Sequence, residues 1–309
     1  MKFQAMCGKM KENENTRLYK RITEAFPALQ AEANFSFRSH TTIGLGGIAS
    51  VAVSPSTTDE CAKLLSYFKR ERIAYCFLGA GANVLPSDGY FDGAVVRFQR
   101  LKCTYLEGTQ LYVGAGINGT ALCSLGKSAS VSGFEPFIGI PFTVGGGVAM
   151  NAGIAQSHFE DVVVRVTAVD GGKIRTFSAK ECAFQEKDSV FLREKIAITG
   201  VLLKGKYAPR KRISENECFY RMRRSGLPKG RSMGCVFVNP SGISAGRLIE
   251  ECGLKGTRMG GARISEIHAN FIINECGTFQ DVALLIDYVK REVANHTGIV
   301  LREEIRRIP

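Results

Sequence analysis

Ile138-Gly139-Ile140-Pro141-Phe142-Thr143-Val144-Gly145-Gly146-Gly147-Val148-Ala149-Met150-Asn151-Ala152-Gly153 carries too much glycine to read as the interior of a strand or a helix. Glycine tolerates positive φ and lets a ligand approach the main chain, so successive N–H groups can converge on an anion such as a diphosphate. The alternative is a tight structural turn. A second run of the same kind weighs against that: Leu78-Gly79-Ala80-Gly81-Ala82-Asn83-Val84-Leu85 follows the apolar stretch 73–77 and sets Gly and Asn where a strand should end.

Around these loops the chain reads as a globular enzyme. Its 309 residues allow two or three domains at about 150 residues each, and 45% hydrophobic with 23% charged residues is ordinary for a folded protein. The longest apolar run, 196–203, falls far short of the ~18–20 residues of a membrane span. Residues 1–20 are polar and basic with no apolar core, so no secretory signal is expected and a cytoplasmic location follows. Ten cysteines occur without a C-x-x-C pair, and the four histidines are isolated from one another. No metal site is expected, and the cysteines read as free thiols in a reducing compartment, Cys76 and Cys123 as small buried hydrophobes.

The net charge of +12 is concentrated: residues 204–231 hold ten Lys and Arg against Glu215 and Glu217, a net of +8. Such a segment suits nucleic acid, a phosphorylated small molecule, or simply a solvated face. It lacks aromatic interleaving and any nucleic-acid motif, so nucleic acid is not favoured.

Residues 48–98 read as strand (48–53), helix (59–72), strand (75–78), glycine loop and strand (94–98). Ser56, Thr57, Thr58 and Asp59 offer helix caps, and Cys61, Leu64, Leu65 and Phe68 recur at helical spacing. A strand at 110–113 runs into Gly114-Ala115-Gly116-Ile117-Asn118-Gly119, a literal G-x-G-x-x-G. Glu135, about 20 residues on, falls in a Gly/Pro-rich loop, so this match reads as a strand-to-helix turn and not a dinucleotide fingerprint. Strands at 162–169 and 173–177 flank Asp170-Gly171-Gly172, a hairpin signal, and a strand at 195–203 closes the first large unit. The basic segment from Lys204 reads as a linker or domain entry. Beyond it come a short strand at 236–238, a turn at Asn239-Pro240-Ser241-Gly242, a helix at 245–252, a strand at 270–274, a long helix at 278–297 and a terminal strand at 300–308 holding Glu303 and Glu304.

Taken in order, Leu78–Asp88, Gly139–Gly153, Gly234-Cys235-Val236-Phe237-Val238-Asn239-Pro240, Gly253–Asn274 with Ser265-Glu266-Ile267-His268-Ala269-Asn270-Phe271, and Leu301–Arg306 resemble the UDP-N-acetylenolpyruvoylglucosamine reductase (MurB) family. The likeness runs from about Asn34 to the C-terminus and suits the shorter, type II form. It implies an α+β chain: an FAD-binding fold of the vanillyl-alcohol-oxidase (PCMH) type in two α+β subdomains holding FAD between them, then a C-terminal α+β substrate-binding domain. The boundaries expected are an N-terminal extension at 1–30, helical or partly disordered; the FAD domain at 31–203, split near 100–110; the substrate domain at 204–299; and a C-terminal strand at 300–309.

The resemblance also implies roles. Gly79, Ala80, Gly81, Ala82, Asn83, Gly139, Ile140, Pro141, Thr143, Gly145, Gly146, Asn151 and Gly153 would meet FAD, with NADPH as hydride donor. Cys235 stands where many members carry a proton-donating Ser, and a thiol with an ordinary pKa of about 8.5 is the stronger acid. Glu304 matches the glutamate of the terminal Leu-x-x-Glu-Ile-Arg pattern; spacing alone leaves Glu303 and Glu304 equivalent. Lys187, in Glu186-Lys187-Asp188-Ser189, stands where the family has Arg, and keeps the charge without the planar fork. Phe142 replaces a usual Gly, and Ala82 a common Ser. For the UDP-sugar enolpyruvyl ether the resemblance points to Asn239 and Ser189, with Lys229 and Arg223 from the basic segment as diphosphate contacts. A monomer outside the membrane is expected. Two other readings stay open: an FAD-dependent oxidoreductase of the same fold with another substrate, and a basic, non-catalytic nucleotide- or nucleic-acid-binding protein.

Overall fold

The computed structural model describes residues 16–154, 157–240 and 242–309. Residues 1–15 of the expected N-terminal extension and Ser241 of the expected turn lie outside the described residues. The chain divides into two units, each assembled from separate stretches. One takes residues up to Phe35 with Ile48–Gly79 and Tyr90–Arg221; the other takes Ser36–Gly47, Ala80–Gly89 and Met222–Pro309.

The first unit begins with helix α1 (Arg17–Ala25) and strand β1 (Gln30–Ser36). Strands β2 (Ile48–Ser54), β3 (Tyr75–Leu78) and β4 (Tyr90–Arg97) complete a four-stranded sheet in the order β1-β2-β4-β3, with β4 parallel to both β2 and β3. Two parallel neighbours need a crossover between them, and helix α2 (Thr58–Arg70) supplies it. Thr57 caps α2 by accepting the Glu60 N–H at 3.0 Å, while Ser56 donates back to the Glu60 carboxylate. Its predicted apolar face, Cys61, Leu64, Leu65 and Phe68, is buried.

A second sheet of the same unit is antiparallel throughout, in the order β8-β7-β9-β6-β5. Its strands are β5 (Thr104–Glu107), β6 (Gln110–Gly114), β7 (Val163–Asp170), β8 (Lys173–Ser178) and β9 (Ala197–Lys204). The literal G-x-G-x-x-G is the expected strand-to-helix turn. It joins β6 to helix α3 (Gly119–Ser128), and Asn118 caps α3 by accepting the Ala121 N–H at 2.8 Å.

Two expectations fail in this unit. Val144–Ala149 is helical (α4) despite its three consecutive glycines. Helix propensity is a weak prior, and here tertiary packing overrides it: Gly147 lies where a Cβ would stand 2.5 Å from the Phe159 ring. Of the two readings of the basic segment the linker fails, because the segment contains the 16-residue helix α5 (Arg210–Ser225), while the division between the two units falls within that helix, between Arg221 and Met222. It is hard to see in sequence because Ile213 is its one buried side chain. Burial pushes the thiols of Cys61, Cys76, Cys123 and Cys182 up to about 12, so these four are packing residues.

The second unit centres on helices α6 (Ala245–Glu251) and α7 (Phe279–Thr297) against a small antiparallel sheet of β10 (Arg258–Met259), β11 (Ala262–Ile264) and β12 (Ile272–Asn274). A capping box between Thr278 and Asp281 opens α7, and Gly298 at φ 71° ends it. Strand β13 (Arg306–Ile308) pairs in parallel with Val84–Pro86. The strand expected at 300–308 is therefore short, with Glu303 making a single bridge to Phe237. Residues 236–238 form no strand at all, because the chain bends at Val236 between bridges Cys235–Phe271 and Phe237–Glu303.

Leu285 of α7 is fully buried in the core of this unit. Leu285→Ala should cost about 2–5 kcal/mol, read as a lowered denaturation midpoint with little change in slope.

Candidate active site

Three of the sequence-picked segments meet within the second unit. In the loop from Ala80, Gly81 has φ 69° and sits where a Cβ would come 2.2 Å from the His40 carbonyl, so only glycine fits. Asn83 closes that loop: its carbonyl accepts the Arg306 N–H at 3.0 Å, and its Nδ2 donates to the Glu304 carbonyl at 3.1 Å. The Glu304 N–H donates to the Val236 carbonyl at 2.7 Å, next to half-buried Cys235. The Asn83 side chain thus ties the loop to Glu304, and a backbone bond ties Glu304 to the residue after Cys235. The Glu303 carboxylate is ion-paired with Lys290 at 3.3 Å and Arg307 at 3.1 Å. That gives Glu303, one of the two acids that spacing left equivalent, a structural occupation.

Arg224, in the last turn of α5, is a neighbour of Cys235 that sequence reasoning missed. Burial holds its guanidinium below its usual range, and the Cys235 sulfur is close enough to act against that shift. The signal available was only its place in a run of basic residues. Asn239 is exposed, and its Oδ1 accepts the Ala245 N–H at 2.9 Å at the entry to α6. Arg223 is exposed in the last turn of α5, and Lys229 is exposed beyond it.

Lys187 belongs to the first unit. It occupies a two-residue turn at φ 59°, closed by reciprocal bonds between Gln185 and Asp188 at 3.0 and 3.3 Å. A non-glycine residue there is held by its surroundings, and two of the expected ligand contacts provide the hold. Ser189 is fully buried and donates to the Ala149 carbonyl at 2.6 Å. Asn151, 2% exposed, donates to the Gln185 carbonyl at 3.2 Å and accepts the Glu160 N–H at 3.0 Å. Both polar groups are satisfied by protein, and together they fasten the Lys187 turn to the end of α4.

Much of the glycine run is likewise committed internally. The N–H groups of Val144, Gly145 and Gly147 donate to the carbonyls of Ile117, Ala115 and Thr143 at 2.7, 2.9 and 2.8 Å. Phe142, in place of the family glycine, fills an aromatic cluster with Phe137 and Phe159, whose own rings stack at 4.3 Å. Gly139 and Pro141 stay exposed, Ile140 and Gly153 partly so.

Two buried side-chain atoms of this unit, Arg97 Nε and Thr143 Oγ1, have no hydrogen-bond partner among the described residues, and the second lies in the glycine run. Thr143 Oγ1 is buried, caps nothing and has no hydrogen-bond partner. Gly79 lies beside it, where a Cβ would stand 2.7 Å from that oxygen. An orphaned hydroxyl facing backbone stripped of side chains is what a polar, close-fitting cofactor such as FAD requires, and the residues fit that group. Among the described residues no set of three His, Cys, Asp or Glu side chains could hold a metal, and no helix is long and apolar enough to cross a membrane.

The two glycine loops at the ends of mixed α+β elements define an FAD-binding oxidoreductase. A family model described as FAD binding domain matches residues 49–178, and one described as UDP-N-acetylenolpyruvoylglucosamine reductase, C-terminal domain, matches residues 227–308. The chain belongs to the UDP-N-acetylenolpyruvoylglucosamine reductase (MurB) family. It is 36% identical over 282 residues to the reductase of Caldanaerobacter subterraneus subsp. tengcongensis, covering 88% of this chain and 92% of that one. Against the Moorella thermoacetica reductase it is 38% identical over 283 residues, covering 90% and 93%. The crystal structure of the MurB enzyme from Thermus caldophilus superimposes with a TM-score of 0.79 at 32% identity, covering 91% of this chain and all of that one. The fold is the α+β, PCMH-type FAD-binding architecture with a further α+β unit that the resemblance implied.

Because Thr143 Oγ1 has no hydrogen-bond partner among the described residues, Thr143→Val should leave the melting temperature almost unchanged. FAD retention, measured by flavin fluorescence on dilution, should weaken about tenfold, the equivalent of one net hydrogen bond.

Proposed function

We infer that the protein reduces the enolpyruvyl ether of UDP-N-acetylglucosamine to UDP-N-acetylmuramate, with NADPH as reductant and FAD as cofactor, in peptidoglycan precursor synthesis. FAD, when bound, would supply a route for hydride from NADPH to the methylene carbon of the enolpyruvyl ether. Negative charge then builds on the carbon that bears the carboxylate, which calls for a donor at that carbon and positive charge near the carboxylate.

Cys235 is the proton donor in this reading, its Sγ protonating that carbon. Glu304 polarises the enolpyruvyl group, and Lys187 contributes a point charge where relatives use a bidentate guanidinium. Ala80 to Asn83, Gly79, Gly139 to Gly146 and Thr143 receive FAD. Asn239, Arg223 and Lys229 meet the UDP moiety. Ser189 and Asn151 act one step removed, by fixing the turn that presents Lys187. The observation that carries the reading is the Glu304–Val236 bond at 2.7 Å, with Asn83 on the Glu304 carbonyl at 3.1 Å. It sets Cys235, Glu304 and the loop from Ala80 on adjoining backbone.

We place the enzyme in the cytoplasm, where exposed free thiols such as Cys103, Cys218 and Cys276 remain reduced, and take it to act as a monomer, checked by light scattering. The primary test is the anaerobic visible spectrum. NADPH should bleach the flavin band, and the enolpyruvyl UDP-sugar should restore it. A band that bleaches and does not return would point to another substrate, and no flavin band even after added FAD would retire the reading.

Substitutions separate the roles. Cys235→Ala should leave bleaching by NADPH intact while reoxidation by substrate collapses, and Cys235→Ser should retain most of it; an Ala variant reoxidised at the parental rate sinks the donor assignment. Lys187→Arg should keep or raise the reoxidation rate, whereas Lys187→Ala should lower it by on the order of 10²-fold.

A further inference from the structure

Asn270 is 3% exposed, at the end of Ser265-Glu266-Ile267-His268-Ala269-Asn270-Phe271. Its side chain spans both backbone polar groups of one residue: Oδ1 accepts the Phe237 N–H at 2.8 Å, and Nδ2 donates to the Phe237 carbonyl at 2.8 Å. Its own carbonyl accepts the Val236 N–H at 2.8 Å, and the next residue, Phe271, bridges to Cys235. On the other side the same segment meets the C-terminal chain through Glu304 N–H to Val236 at 2.7 Å and Val238 N–H to Arg302 at 2.9 Å.

We propose that Asn270 is a positioning residue for the proton step: its carboxamide replaces the strand partner that the bend at Val236 removes, and so holds Cys235 in register with Glu304. The proposal rests on the roles given above to those two residues.

The chemistry of the pairing is specific. A neutral carboxamide offers a donor and an acceptor side by side, matching the N–H and carbonyl of an extended residue. Flipped, it would oppose donor to donor and acceptor to acceptor, so the network admits one orientation. The amide is itself held from below. Ser265 Oγ accepts the N–H groups of Ile267 and His268 at 3.1 and 3.3 Å, and His268 Nδ1 accepts the Asn270 N–H at 3.3 Å. Burial holds His268 below its usual range, which favours the neutral ring that the acceptor role requires.

Asn270→Asp tests the idea in the FAD-loaded full chain, because a protonated carboxyl again offers donor and acceptor while a carboxylate sets an anion against the Phe237 carbonyl. Burial raises the pKa of such an acid, so the pairing is broken at high pH and restored as pH falls. Bleaching by NADPH should match the parent throughout. Reoxidation by the enolpyruvyl UDP-sugar should drop by on the order of 10²-fold at pH 8, a typical penalty for slight misplacement, and recover towards the parental rate at low pH.

Cys235, Arg224, His268, Arg302, Glu303 and Glu304 lie on the segments around this amide, and their titration is common to parent and variant, so the extra step belongs to position 270. Amide exchange over 235–238 should quicken in the variant at pH 8 and not at low pH. Reoxidation equal to the parent at every pH, or slowed by one constant factor, overturns the proposal. If the Asp variant does not fold at pH 8, Asn270→Gln decides: its longer arm should slow reoxidation and quicken exchange over 235–238, and parental behaviour in both overturns the assignment. A parent that NADPH bleaches but the UDP-sugar fails to reoxidise would instead refute the proposed function, while the exchange measurement would still report on Asn270.

Discussion

The hydrogen bond from Asn83 Nδ2 to the Glu304 carbonyl joins residues 221 positions apart, and the second unit is organised around it. Beside it, Arg306–Ile308 pairs in parallel with Val84–Pro86, so the C-terminus is built onto a loop that leaves an N-terminal strand. Closing so long a loop is entropically costly, and parallel pairing returns little locally. The contact must be repaid by packing, and Leu85, Leu301 and Ile305 are all buried in one core with α6 and α7. With that core formed, Glu304 has one place to stand, and Cys235 follows through the Val236 carbonyl.

Bending at Val236 is the local consequence. A regular strand would point the N–H and carbonyl of each residue to the same edge, but Val236 sends its N–H to Asn270 and its carbonyl to Glu304. The segment therefore bridges two chains instead of pairing along one. Residues that give up regular pairing near a reacting group need other partners for their backbone, and a buried asparagine provides them here. The same logic runs through the first unit, where Asn151 and Ser189 hold Lys187 in a conformation that a lysine does not favour.

What could be read from sequence divides along physical lines. Period and caps suffice for α2 and α7, because each has a capping residue and a buried stripe of its own. The glycine loops were legible as special backbone, and their chemistry only in part. Many N–H groups of the 138–153 run, those of Val144, Gly145 and Gly147 among them, donate to protein carbonyls, and the Thr143 hydroxyl in the same run is buried without a hydrogen-bond partner among the described residues. Helix α5 was invisible because a solvated helix has no apolar period to detect. The joining of 36–47 and 80–89 to residues beyond 221 is set by pairing at a distance, and no local pattern reports that. Glu303 and Glu304 could be told apart in sequence only by motif, and nothing local reports the ion pairs of Glu303 with Lys290 and Arg307.

In the proposed reaction Lys187 is the departure from the expected pattern that bears most on mechanism, and its turn is braced by buried polar side chains. A surface lysine with no task would not need a closed turn, a positive φ and two fully buried polar side chains devoted to holding it. Polar groups are buried at a cost unless their bonds are made, and the bonds of Asn151 and Ser189 are made to the backbone of the turn and of α4 rather than to any ligand. The turn that carries Lys187 is thus braced by the protein itself. What changes is the tip: a compact, mobile ammonium replaces a planar fork, so charge is conserved while directional grip is lost. On that reasoning the substitution should act on the rate of the proton and electron delivery to substrate, and leave cofactor binding to the glycine loops.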